Sequence, residues 1–116
     1  MELISKVEGK AIIVSVVGKS VNGKIDTTNA TLFEKKLNEN MPQDKNILLL
    51  DLSEINFVSS AFLRVILATS KMLNKKKGSL LLVGPQEGVK DVFEISGFSS
   101  IFKIFPTVPE ALHHIS

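Results

Sequence analysis

The 116-residue chain has no cysteine. That excludes a disulfide frame, a thiolate metal site and a thiol nucleophile, and it suits a reducing, cytoplasmic setting. Histidine is scarce as well: His113 and His114 are the only two, and both fall within the last four residues. Being adjacent, they do not share a helix face, and no metal-ligand partner lies near them in sequence. No metal or other cofactor is expected. No orienting acid marks a Ser-His-Asp arrangement either. Apolar runs never approach the roughly 20 residues that a membrane span needs. Glu2, Lys6, Glu8 and Lys10 interrupt the first apolar segment, so no signal sequence and no direct membrane insertion are expected. The formal net charge is only +2, too small to imply nucleic-acid binding. The one cationic cluster, Lys75-Lys76-Lys77, reads as a solvated helix end favoured by the helix dipole.

What is present is an ordinary globular composition, 44% hydrophobic and 22% charged, on a chain long enough for one core. A single domain, residues 1–116, is expected. Leu3 to Val7 and Ala11 to Val17 read as strands joined by a Glu8-Gly9-Lys10 turn. Gly18 to Ile25 reads as a polar loop, with Asp26, Thr27 or Thr28 capping the next helix. That helix puts Ala30, Phe33 and Leu37 on one face and ends near Asn40, before Pro42. Ile47-Leu48-Leu49-Leu50 and Leu80-Leu81-Leu82-Val83 are short, wholly apolar strands, as in a sheet covered on both faces. Between them a helix runs from about Ser60 to Lys76. Another spans Gln86 to Ser96 with Val89, Val92, Phe93 and Ile95 inward, closed by Gly97 in the left-handed conformation and by Phe98 folding back on Phe93. Ile101 to Phe105 reads as a last strand, and Pro109 as an early residue of a terminal helix. The order β-β-α-β-α-β-α-β-α predicts an α/β domain: a mixed sheet of about five strands with about four helices and one antiparallel pair at its start.

Three places carry candidate chemistry. Gly18-Lys19-Ser20 copies the tail of a phosphate-binding loop, but the position five residues earlier is Ile13 where that motif needs glycine. Asp26 and Asp51 both follow strands, whose C-terminal ends gather at one sheet edge. Together they could bind magnesium or serve as acid and base; separately they would be turn or cap residues. Ser59 and Ser60 stand at a helix start, where unpaired N–H groups and a partial positive charge collect. A serine there caps the helix or carries a phosphate at low local cost.

The serines sit in Asp51-Leu52-Ser53, then Phe57-Val58-Ser59-Ser60-Ala61, then Leu63 and Val65-Ile66-Leu67. With Gly23-Lys24-Ile25-Asp26 before them and Glu94-Ile95-Ser96-Gly97-Phe98 after, these blocks resemble the STAS domain of the anti-sigma factor antagonists over nearly the whole chain. The resemblance implies a binding switch, not an enzyme. Its partner would be an anti-sigma factor of serine-kinase type, with a serine phosphatase resetting the switch. The matching phosphoacceptor is Ser60, with Ser59 as the alternative. Asp26, Asp51, Ser59, Ala61, Phe62 and Val65 are the partner-binding residues expected around it. The family's usual glycine is replaced by Phe62, expected to add bulk beside Ser60 as a block to a kinase or an anchor for another partner. A STAS subunit of a membrane transporter, without phosphorylation, is the alternative reading. A small enzyme or nucleotide-binding protein using Asp26 and Asp51 is a third.

Overall fold

The computed structural model describes residues 1–116. Seven strands and four helices alternate along it: β1 Leu3–Glu8, β2 Ala11–Val16, β3 Lys24–Ile25, α1 Ala30–Glu39, β4 Ile47–Asp51, β5 Phe57–Val58, α2 Ser60–Lys75, β6 Ser79–Val83, α3 Glu87–Ile95, β7 Ile104–Phe105 and α4 Val108–Ile115. Five strands form one sheet in the order β1-β2-β4-β6-β7. Only β1 and β2 pair antiparallel; the other pairs are parallel, as helical crossovers require. The predicted α/β order and mixed sheet are therefore present.

The apolar strands divide their side chains by parity. Ile12, Val14, Leu48, Leu50, Leu80 and Leu82 point to one face, where they pack with Phe33 and Leu37 of α1, Phe62 and Ile66 of α2, and Val89 and Phe93 of α3. Ala11, Ile13, Leu49, Leu81 and Val83 point to the other face and meet Ala111 of α4. This is why both strand runs lack polar residues: neither face of the sheet centre meets water.

Four expectations change. Residues 18–25 are not a plain loop: Gly18–Ser20 is a 3₁₀ turn, and β3 pairs in parallel with β5, Lys24 opposite Phe57 and Ile25 opposite Val58. Two-residue strands leave no alternation to read. Asp26, Thr27 and Thr28 do not occupy the cap position of α1, which belongs to Asn29; Asp26 makes a turn just ahead of it. Ile95 is 88% exposed. It lies six residues beyond Val89, a rotation of about 240°, so it leaves the face shared by Val89 and Phe93. The last strand keeps only Ile104 and Phe105, because Phe98–Ser100 forms a 3₁₀ turn and Phe102 turns into the core. Gly97 does take the left-handed conformation, at φ 82°. Phe98 packs on the core cluster that contains Phe93, with its ring 5.7 Å from that of Phe102.

Candidate functional site at the start of α2

The parallel pair β3–β5 builds the site. Register places Ile25 opposite Val58, and the Ser59 N–H donates to Ile25 O at 3.0 Å. The chain then turns into α2 while Asp26 leaves β3 beside it. A close approach of backbone holds the base of this unit. Gly23 O accepts the Asn56 N–H at 2.7 Å, and a side chain at Gly23 would run into Asn56. Gly23 also has φ 73°, a conformation that suits only glycine well.

The two serines have different roles. Ser59 is extended, at φ −98° and ψ 171°, and its Oγ accepts the Phe62 N–H at 3.3 Å. It is the helix cap. Ser60 is the first helical residue; its side chain is exposed and its hydroxyl has no protein partner. The N–H groups of Ser60 and Ala61 have no acceptor in the fold, as expected for a helix start.

Asp26 is half-buried and heavily used. Its Oδ1 accepts the Thr28 hydroxyl at 2.6 Å, the Thr28 N–H at 2.9 Å and the Asn29 N–H at 3.2 Å. Asn29 returns the favour by accepting the Asp26 N–H at 2.9 Å and donating to Lys24 O at 3.0 Å. The Thr28 hydroxyl is the main reason that the Asp26 carboxyl lies below its ordinary value of 3.8; partial burial opposes this, and the Asn29 and Thr28 amides reinforce it. Asp26 is thus a carboxylate at neutral pH, one strand position from the serines.

Asp51 sits elsewhere. At the end of β4, its Oδ1 accepts the Ser53 N–H at 2.9 Å and its Oδ2 faces the Ser15 hydroxyl at 3.5 Å. Asp26 and Asp51 share no partner, and no group of three or more acidic or histidine side chains converges in a way that could hold a metal. The Gly18-Lys19-Ser20 turn is also spoken for: the Gly18 N–H donates to a carboxylate oxygen of Glu54 at 2.8 Å, and the Ser20 hydroxyl donates to Val17 O at 2.6 Å. An acid side chain occupies the amide that a phosphate would need.

Three expected partner residues are corrected. Phe62 is fully buried, its ring 5.4 Å from that of Phe33 on α1. It neither crowds Ser60 nor offers an anchor, because helix periodicity turns it 200° away from Ser60 and into the core. Val65 belongs to the same core, and Ala61 is buried. Instead, sequence reasoning missed Phe57, 47% exposed beside the serines. A two-residue strand gave no sign of it in the sequence.

With this geometry in place, the comparisons with known proteins decide the family. The STAS domain family model matches residues 9–111. The chain belongs to the STAS domain family. It is 37% identical over 84 residues to BtrV of Bordetella bronchiseptica, a proposed anti-sigma factor antagonist, covering 72% of each chain. It is 30% identical over 84 residues to the anti-sigma-B factor antagonist of Listeria monocytogenes, covering 72% of this chain and 74% of that one. Among solved structures, a proposed anti-sigma factor antagonist from Thermotoga maritima superposes with a TM-score of 0.84 at 26% identity, over 97% of this chain and 92% of that one. No helix is long and apolar enough to cross a membrane.

Proposed function

We propose that this STAS domain is an anti-sigma factor antagonist, a binding protein whose partner is an anti-sigma factor of serine-kinase type. Phosphorylation of Ser60 switches the binding off, and a serine phosphatase restores it. The setting is the cytoplasm and the output is transcription. The observation that carries this reading is the division of labour between adjacent serines. Ser59 spends its hydroxyl on the cap, while Ser60 presents an exposed, unbonded hydroxyl on the same helix turn. The relatives' names support an anti-sigma factor as the partner; its kinase type rests on the free Ser60 hydroxyl.

The physical effect of the modification is local. A phosphate adds about −1.5 to −2 charge at neutral pH. The start of α2 accommodates it, since free N–H groups and the helix dipole favour an anion there. A partner packed over Ser60 must desolvate that charge next to the Asp26 carboxylate, which is unfavourable without a matching cation. Asp26 shapes the rim, and Phe57 supplies an apolar contact at its centre. With Phe62 buried, no feature of the site favours the transporter-subunit alternative.

The test is phosphorylation of the purified chain by its kinase-type anti-sigma factor and ATP, followed by peptide mapping. The expected product carries phosphate on Ser60, and Ser60→Ala takes up none. Phosphate on Ser59 instead, or on neither serine, contradicts the proposal.

A further inference from the structure

A cleft opens toward the far end of α2, with Ser70 about 15 Å along the helix from Ser60 at 1.5 Å per residue. It exists because β7 is short. β7 pairs with β6 only through Leu82 with Ile104 and Val83 with Phe105. Before Lys103 the chain leaves the sheet edge, with Ile101 in helical conformation at φ −99° and ψ −42°. The first half of β6, paired with β4 on one side, is therefore a wall with no strand on its other side. Ser70 of α2, Ile101, Lys103, and His114 and Ile115 of α4 complete a cavity of about 300 Å³. That is the lower end of the range for small-molecule pockets.

Three features of the cleft are chemically unspent. The first is the backbone of Leu80. Leu82 and Gly84 donate their N–H groups toward β7, to Lys103 O at 3.0 Å and Phe105 O at 2.8 Å. Alternation along the strand aims the Leu80 N–H and C=O the same way, and neither has a partner in the fold. Leu80 is 3% exposed, and buried backbone groups left unpaired are rare. The second is Ser70, 8% exposed and lining the cavity, whose hydroxyl bonds to nothing. Its neighbour Thr69, by contrast, returns its hydroxyl to Val65 O at 2.9 Å. The third is Lys103. No carboxylate pairs with it; its ammonium stands 3.4 Å from His114 Nε2 at the mouth of the cleft.

We propose that this cleft binds a monoanionic ligand with main-chain character: a carboxylate next to an amide, with one apolar side chain. An N-acylated amino acid and the last residue of an extended peptide share that chemistry. The ligand amide pairs with the Leu80 N–H and C=O, as an added strand does. Its carboxylate meets Lys103, with Ser70 as a further donor, and its side chain rests on Ile101 and Ile115. A single uncompensated lysine matches one negative charge better than the two of a phosphate monoester.

N-acetyl-leucine is the probe, titrated into the full chain by calorimetry and by amide NMR. The expected result is saturable binding that shifts the Leu80 amide, weakened about tenfold or more by Lys103→Gln and by replacing the acid with N-acetyl-leucinamide. Ser70→Leu, which fills the cavity with an apolar side chain, abolishes binding while the folded spectrum persists. A five-residue peptide ending in leucine separates the sources. Tighter binding assigns the site to a protein C-terminus, and equal binding assigns it to the small molecule. The proposal fails if the Leu80 amide does not shift, if the amide derivative binds as well as the acid, or if Ser70→Leu binds normally. None of these outcomes depends on the phosphorylation of Ser60.

Discussion

The Ser59 N–H donates to the Ile25 carbonyl at 3.0 Å, and this bond ties the start of α2 to the strand that carries Asp26. It extends the two-residue ladder of β3 and β5 by one step, so that the cap of a helix and the acidic turn of another segment move as one unit. The site is therefore built from residues more than thirty positions apart. It needs no long loop to bring them together.

The two serines should separate cleanly on mutation. Ser59→Ala removes the cap and should cost about 1 kcal/mol in urea unfolding. Ser60→Ala breaks no bond and should change stability by less than about 0.5 kcal/mol. Equal losses for the two would mean that the cap is shared.

Two phenylalanines should behave in opposite ways. Phe62→Ala empties a fully buried site against Phe33 and should cost about 3–5 kcal/mol. Phe57→Ser removes an exposed ring and should cost less than about 1 kcal/mol in stability. The same change should weaken partner binding about tenfold, as expected for an apolar contact near an interface centre. Thermal unfolding and calorimetry measure both.

Asp26 predicts a pH dependence. Its carboxyl is held below 3.8 in the folded chain, chiefly by the Thr28 hydroxyl. The ionised form is therefore favoured by folding, and its stabilisation is present above the unfolded value of 3.8. It is lost as the pH falls through the lower folded value. Thr28→Val should raise the Asp26 pKa in a carbon-detected NMR titration. Asp26→Asn should flatten the acid limb of the stability curve. An unchanged titration in Thr28→Val would contradict the assignment of the hydroxyl as the main cause.

Gly18 offers a test of the base of the site. A Cβ at this position would collide with the carbonyl of Glu54, a backbone group that cannot swing away. Gly18→Ala should cost about 1–3 kcal/mol, the usual range for overpacking. Glu54→Gln should cost less, since its amide oxygen still accepts the Gly18 N–H.

Much of this was legible in the residues themselves. The apolar runs at Ile47 and Leu80 announced strands covered on both faces, and both are central in the sheet. The serine pair marked the start of α2, but which of the two caps it is settled by backbone geometry: Ser59 accepts the Phe62 N–H and Ser60 stays free. Helical spacing places Phe62 on the broad core face with Leu63, Ile66 and Leu73, whereas its place in the motif suggests bulk beside Ser60; the spacing prevails, and Phe62 packs against Phe33 of a distant helix. The pairing of β3 with β5 was hidden. Two residues have no period, and their hydrogen bonds are settled by tertiary contact. The notch beside β6 was equally invisible, since it arises where a strand stops short.

The central claim is that a phosphate on Ser60 disengages the partner. The direct measurement is the dissociation constant for a kinase-type anti-sigma factor, by calorimetry, with the unmodified chain and with the chain phosphorylated at Ser60. The account predicts binding that is at least about tenfold weaker after phosphorylation, a difference of about 1.4 kcal/mol or more, with folding unchanged. Equal affinity of the two forms, both folded, would contradict it and leave Ser60 as nothing more than an exposed first residue of α2.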